Sequence, residues 1–171
     1  MKKSIILLFG LFFLTIFSCS TGSNSLEKDI SSVVDTFFRN YKGDFRTVDR
    51  TLLTQDLLTL IDKAIAKELF EAKKMKESNF PSDKPLMIEG DIFTSLYEGQ
   101  NSFNIREIKI EENKATVTIQ FANSLYEKTW EDQVLLMKDK DWKIDNVVFK
   151  GQTVNIKSTK EILLGLINSK S

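Results

Sequence analysis

The chain has 171 residues, with 24 basic and 24 acidic side chains and no histidine. The missing histidine excludes Ser-His-Asp and Cys-His catalysis and any histidine-ligated zinc site. The even charge balance supplies no basic stripe of the kind that marks a nucleic-acid-binding domain.

Cys19 is the single cysteine, so no disulfide can form within the chain. It follows Lys2, Lys3 and an apolar run from Ser4 to Phe17, with Ser18 directly before it. The order is that of a bacterial lipoprotein signal peptide: positive start, apolar centre, small residue, cysteine. The run is roughly 14 residues, short of the ~20 that cross a bilayer core as a helix. A helix apolar all round at this position is inserted or buried rather than a surface element. We therefore read residues 1–18 as a cleaved signal, Cys19 as the lipidated first residue of the mature chain, and 19–25 as a small polar tether. Two or more acyl chains make a stable anchor, where one binds reversibly. Ser20, not aspartate, follows the cysteine. In the general bacterial lipoprotein pattern that favours an outer membrane, and no acidic surface-export run follows, so the periplasmic side is expected. Without Lys2 and Lys3 the chain keeps 22 basic against 24 acidic residues, a net of −2. Residues 26–171 fit one domain.

Leu26, Ile30, Val33, Val34, Phe37, Phe38 and Tyr41 recur at helical spacing and predict a helix near 26–42, stopped by Gly43. Asp44 to Thr54 reads as a link or short helix. Leu57, Leu60, Ile61, Ala64, Ile65 and Leu69, with Phe70 and Ala72 nearby, predict a second helix. Thr54 is its cap, and Lys73, Lys74 and Lys76 suit the negative end of its dipole. Both prolines, Pro81 and Pro85, fall in the break that follows.

From there the period changes to two. Ser102 to Glu111 and Lys114 to Asn123 flank a turn at Glu111-Glu112-Asn113-Lys114. Ala115, Val117, Ile119 and Phe121 mark the buried face of the second strand. Phe103 and Ile105 are out of phase with Ile108 and Ile110, which predicts a bulge near Arg106-Glu107. Tyr126 to Met137 and Trp142 to Lys150 read as two more strands joined by a charged turn, and Thr159 to Ile167 as a short final helix. Helices followed by an antiparallel meander give the α+β class. A curved sheet over a long helix would form a cone with one concave face.

Val33-Val34-Asp35-Thr36-Phe37-Phe38 with Tyr41, Leu52-Leu53-Thr54-Gln55-Asp56-Leu57-Leu58, Gly90-Asp91-Ile92-Phe93-Thr94, Asn113-Lys114-Ala115-Thr116-Val117 and Trp142-Lys143-Ile144-Asp145-Asn146-Val147 occur in a particular order and spacing. Over roughly 30–150 this pattern resembles nuclear-transport-factor-2-like domains, and within them the secreted bacterial group catalogued as domain of unknown function 3828. The glutamine that often follows the Asp segment in that group has its nearest counterparts here in Ser95 and Gln100. The group has no assigned activity, so the resemblance implies a fold and not a function.

Any enzyme here would use Asp, Glu, Lys, Ser or Tyr, or an oxygen-ligated calcium or magnesium ion. Glu89, Asp91 and Glu98 are the closest carboxylate cluster. Two carboxylates held ~5–9 Å apart can act on a glycosidic bond, but Asp91 equally suits a turn cap. No Asp-x-Asp-x-Asp-Gly spacing is present, and no metal site or cofactor is expected. Trp142 reads as a core residue closing its hairpin against the first helix. Trp130, among Lys128, Glu131 and Asp132, is the tryptophan expected to be exposed.

The leading expectation is a non-catalytic, lipid-anchored envelope module that binds a small ligand or an envelope protein. Asp91, Tyr97, Glu98, Gln100, Tyr126 and Trp130 are its candidate pocket. The alternative is a carboxylate-based hydrolase of an envelope glycan, and a third is an accessory or immunity-type protein that plugs a partner. A polar concave face would favour a ligand site. A face filled by Phe and Leu would exclude both the hydrolase and the small-ligand site and leave an interaction module.

Overall fold

The computed structural model describes residues 21–151 and 156–170. The segment expected to be a signal, residues 1–18, and Cys19 lie outside the described residues. The elements run α1 (Thr21–Asn40), two short 3-10 turns (Phe45–Thr47 and Arg50–Leu52), α2 (Gln55–Lys76), β1 (Ser102–Glu111), β2 (Lys114–Asn123), β3 (Lys128–Lys138), β4 (Trp142–Phe149) and α3 (Thr159–Ile167). The class is α+β. The sheet is an open antiparallel meander in the order β1-β2-β3-β4.

α1 begins five residues before the predicted start and takes in most of the expected tether. Extending an existing helix by a turn costs little compared with nucleating one. Its buried stripe is Ile30, Val34, Phe37 and Phe38, with Tyr41 just beyond the end. α2 starts where predicted, with the Thr54 hydroxyl accepting from Leu57 N. Its buried face differs from the expectation. Leu57, Ile61 and Ala64 are buried, but the stripe continues into Glu68 and Glu71, while Leu69 and Phe70 are exposed. The cause is an ion pair: Arg46 Nε and Nη2 donate to the two Glu68 oxygens, each at 2.7 Å. Bidentate pairing of this kind repays the burial of a carboxylate where an unpaired one would be expelled. Ile88 N also donates to Glu68 Oε1 at 2.8 Å, fixing the segment after the prolines to α2.

The β1–β2 register shifts between Ile105 and Glu107, the predicted bulge. It restores Phe103, Ile105, Ile108 and Ile110 to one side of the strand. β3 begins at Lys128, later than expected, because residues 124–127 form the turn and Glu127 adopts φ 53°. Ala115, Val117, Ile119 and Phe121 of β2 are buried, as are Val134 and Leu136 of β3 and Trp142, Ile144 and Val147 of β4. Trp142 is a core residue, as read, with its indole N–H lacking a hydrogen-bond partner.

Helix α1 fills the inner face of the sheet with aromatic rings. Phe38 meets Phe121 edge-on at 5.0 Å, and Phe37 meets Phe93 at 4.9 Å. The inner face is therefore mostly packed apolar core and not an open polar pocket. The two sheet edges differ. Thr54 N donates to Ile144 O and Phe149 N to Lys157 O, so β4 is covered at both ends. Among the described residues, β1 pairs with β2 alone.

Candidate functional site

An open cleft of about 930 Å³ lies beside β1. One wall is the C-terminal end of α1, with Asp35, Phe38 and Arg39, and Lys42 just beyond it. The other is the start of β1, from Ser102 to Ile105, and the floor is Asp91 with Glu98 to Asn101. Three of the sequence candidates, Asp91, Glu98 and Gln100, come together here.

Asp91 opens a tight loop. Its N–H donates to Tyr97 O at 2.8 Å, and its Oδ1 accepts from Phe93 N at 2.7 Å and from the Tyr41 hydroxyl at 3.1 Å. It is thus a turn cap that also faces the cleft. Burial raises its pKa to about 6, against hydrogen bonds from Phe93 N, Tyr41 and Thr94 N that favour the anion, and the negative Asp132 raises it further. No cation stands among these influences. Tyr41 is held well above the ordinary phenol range by burial and by the Asp91 charge.

Gly99 permits this close packing. Its φ is +74°, and a β-carbon there would stand 2.7 Å from Asp91 Oδ2, so both the backbone and the space call for glycine. Gly90, at φ +76°, is likewise covered by the Tyr97 ring, 2.5 Å from where a β-carbon would be. Gln100 Nε2 donates to Phe38 O at 3.3 Å, tying the loop to the end of α1.

The cleft cations are already engaged. Arg39 Nε donates to Asp35 at 2.6 Å, its guanidinium lies 5.9 Å from the Phe103 ring, and Lys42 Nζ donates to Arg39 O at 3.0 Å. Glu98 is exposed and makes no hydrogen bond or ion pair among the described residues.

The other sequence candidates lie elsewhere. Tyr97 is exposed and donates to Glu89, which Lys84 also holds and thereby keeps below the usual carboxylate range. Neither lines the cleft. Tyr126 is exposed on the β2–β3 turn. Trp130 is half-buried, not exposed. Its ring lies 5.7 Å from Phe121, and its N–H donates to Asp132 at 3.0 Å.

Asp132 is the residue that the sequence reading passed over. It is wholly buried. Its Oδ1 accepts from Ser95 Oγ at 2.6 Å, Lys150 N at 2.8 Å and Gly151 N at 3.4 Å. Its Oδ2 accepts from Ser95 N at 2.8 Å and from Trp130. Five donors converge on one side chain, so Asp132 pins the Asp91 loop to β3 and to the exit of β4. A signal for it existed: Trp130, Asp132, Val134 and Leu136 share the inward parity of β3, and only one of them is charged.

Among the described residues no group of three or more His, Cys, Asp or Glu side chains is placed to hold a metal ion, and no helix is long and apolar enough to cross a membrane. Comparison with protein-family models, curated proteins and solved structures finds no match to this chain.

Proposed function

We propose that this chain is a lipid-anchored module of a bacterial cell envelope, held by Cys19 on the periplasmic side of an outer membrane, and that it binds a protein rather than catalysing a reaction. The fold proposed is the nuclear-transport-factor-2-like cone of the domain of unknown function 3828 group. Support for the anchor comes from Lys2, Lys3, the apolar run and Cys19. The observation that carries the binding role is the pairing of a filled inner sheet face with an open cleft along an unpaired strand edge. The cleft is open to solvent, whereas most small-ligand sites bury the greater part of their ligand. A protein segment needs only the open cleft.

The test has two parts. An alkyne-labelled fatty acid fed to cells should label the chain, and Cys19→Ser should remove the label. A photo-crosslinking amino acid at Asn101 or Ser102 should join the chain to an envelope protein in cells, while the same group at Glu112, in the β1–β2 turn, should not. Absence of cleft crosslinks sinks the binding role, and persistent labelling of Cys19→Ser sinks the anchor.

One observation favours the hydrolase as a second reading. Asp91, with its pKa raised to about 6, shares the cleft with Glu98, and a carboxyl poised near the working pH can act as a general acid. Turnover of envelope glycan that disappears in Asp91→Asn without loss of folding would support it.

A further inference from the structure

We propose that the cleft receives an extended segment of a partner protein, which adds as a fifth strand to the free edge of β1 and places a lysine or arginine side chain at Asp91 and Glu98. The inference rests on the binding role proposed above and names the partner's chemistry.

A strand at the edge of a sheet leaves alternate N–H and C=O groups without partners. β1 is such a strand, while the opposite edge is closed by Leu53–Thr54 and by Lys157–Ser158. Exposed edges are ordinarily guarded by charged side chains and by bulges that spoil the template. The guards on β1 are unevenly distributed. Arg106, Glu107, Lys109 and Glu111 all lie at or beyond the bulge between Ile105 and Glu107. The stretch before it, Ser102-Phe103-Asn104-Ile105, has no charge, and it is this stretch that lines the cleft. The unguarded part of the edge therefore faces a channel walled by α1. At ~3.3 Å per residue, four residues offer about 13 Å of template.

Strand addition gives affinity through main-chain hydrogen bonds and specificity through alternate side chains. One side-chain preference is visible in the charges. Arg39 is taken by Asp35, and Lys42 reaches back to the α1 carbonyl. Among the described residues no cation is among the influences on Asp91, and Glu98 has no partner. A cationic side chain at that end of the cleft meets two carboxylates.

The test selects twelve-residue peptides from a random displayed library against the full chain in detergent micelles. Selected peptides should alternate apolar and polar residues and carry Lys or Arg near one end. They should slow amide exchange at residues 102–105. Methylating their backbone nitrogens at one parity should abolish binding, and at the other parity should leave it. The Asp91→Asn, Glu98→Gln double variant should weaken them about tenfold, while analogues with norleucine in place of the cation should lose nothing further. Cleft crosslinks that persist in cells, with selected peptides indifferent to methylation or with no peptide selected, overturn strand addition and leave the cleft as a binding surface. Loss of both crosslinks and peptides overturns the two proposals together. Sedimentation showing that a second copy already fills the edge at 102–105 also overturns this one.

Discussion

Asp132→Asn replaces one carboxylate oxygen by an amide NH₂ and preserves volume, so it isolates the polar contribution of a single buried side chain. The five donors divide between the two oxygens: Ser95 Oγ, Lys150 N and Gly151 N on Oδ1, Ser95 N and Trp130 Nε1 on Oδ2. An amide must put its NH₂ at one position or the other. Placed at Oδ2, it confronts two N–H donors. Placed at Oδ1, it confronts the Lys150 and Gly151 amides, and only the Ser95 hydroxyl can rotate to accept. Either orientation leaves two donors unpaired, at about 1–3 kcal/mol each, for an expected loss of roughly 2–6 kcal/mol. For a domain near 150 residues each kcal/mol lowers Tm by about 2–4 °C. Urea unfolding followed by tryptophan fluorescence gives the free energy directly. A loss below about 1 kcal/mol with unchanged slope would mean that water replaces the missing acceptor, and the reasoning fails.

Asp91 supplies a pH signature. Its folded pKa, about 6, lies above its ordinary value of 3.8, so between about pH 4 and 6 the folded chain holds a proton that the unfolded chain has lost. Stability must fall as pH rises through that window. Asp91→Asn removes this contribution, so its stability relative to the native chain should rise by on the order of 2 kcal/mol from pH 4 to pH 6.5 and then level off; parallel pH profiles in urea would refute it. Arg46→Ala strands Glu68 and should cost about 2–4 kcal/mol, less than a fully buried pair because Arg46 touches water. Adding Glu68→Leu should recover part of that loss, and a further fall would count against the ion-pair account. Trp142→Ala should cost about 3–5 kcal/mol, but Trp142→Phe under about 1.5, because it also removes an unpaired buried N–H. Equal costs in denaturant melts would show that the indole N–H is satisfied.

Where a single physical rule dominated, the structure could be read from the chain. The bulge was visible because Phe103 and Ile105 could not share a face with Ile108 and Ile110 in an unbroken strand. The start of α2 was visible because Thr54 precedes a helical stripe. The C-terminal half of α2 was not: a hydrophobic period assigns Leu69 inward, but Arg46, distant in sequence, draws Glu68 inward instead. Trp130 was expected to be exposed, and Asp132 was passed over, for a related reason. Charged neighbours make the stretch resemble a solvated one, yet strand parity places both toward the interior. The carboxylates at 91 and 98 were recognisable as a cluster. That they meet the edge of β1 and the end of α1 depends on where a meander places its first strand, which local pattern does not encode.

The unequal edges of the sheet bear on how this protein can associate. A sheet with two free edges can lengthen without limit, each added chain presenting a new end, and that is the geometry of fibres. Here Leu53–Thr54 and Lys157–Ser158 cover both ends of β4, so the open template lies on the β1 side. Pairing between two copies through β1 closes at a dimer. That asymmetry is a built-in limit to polymerisation.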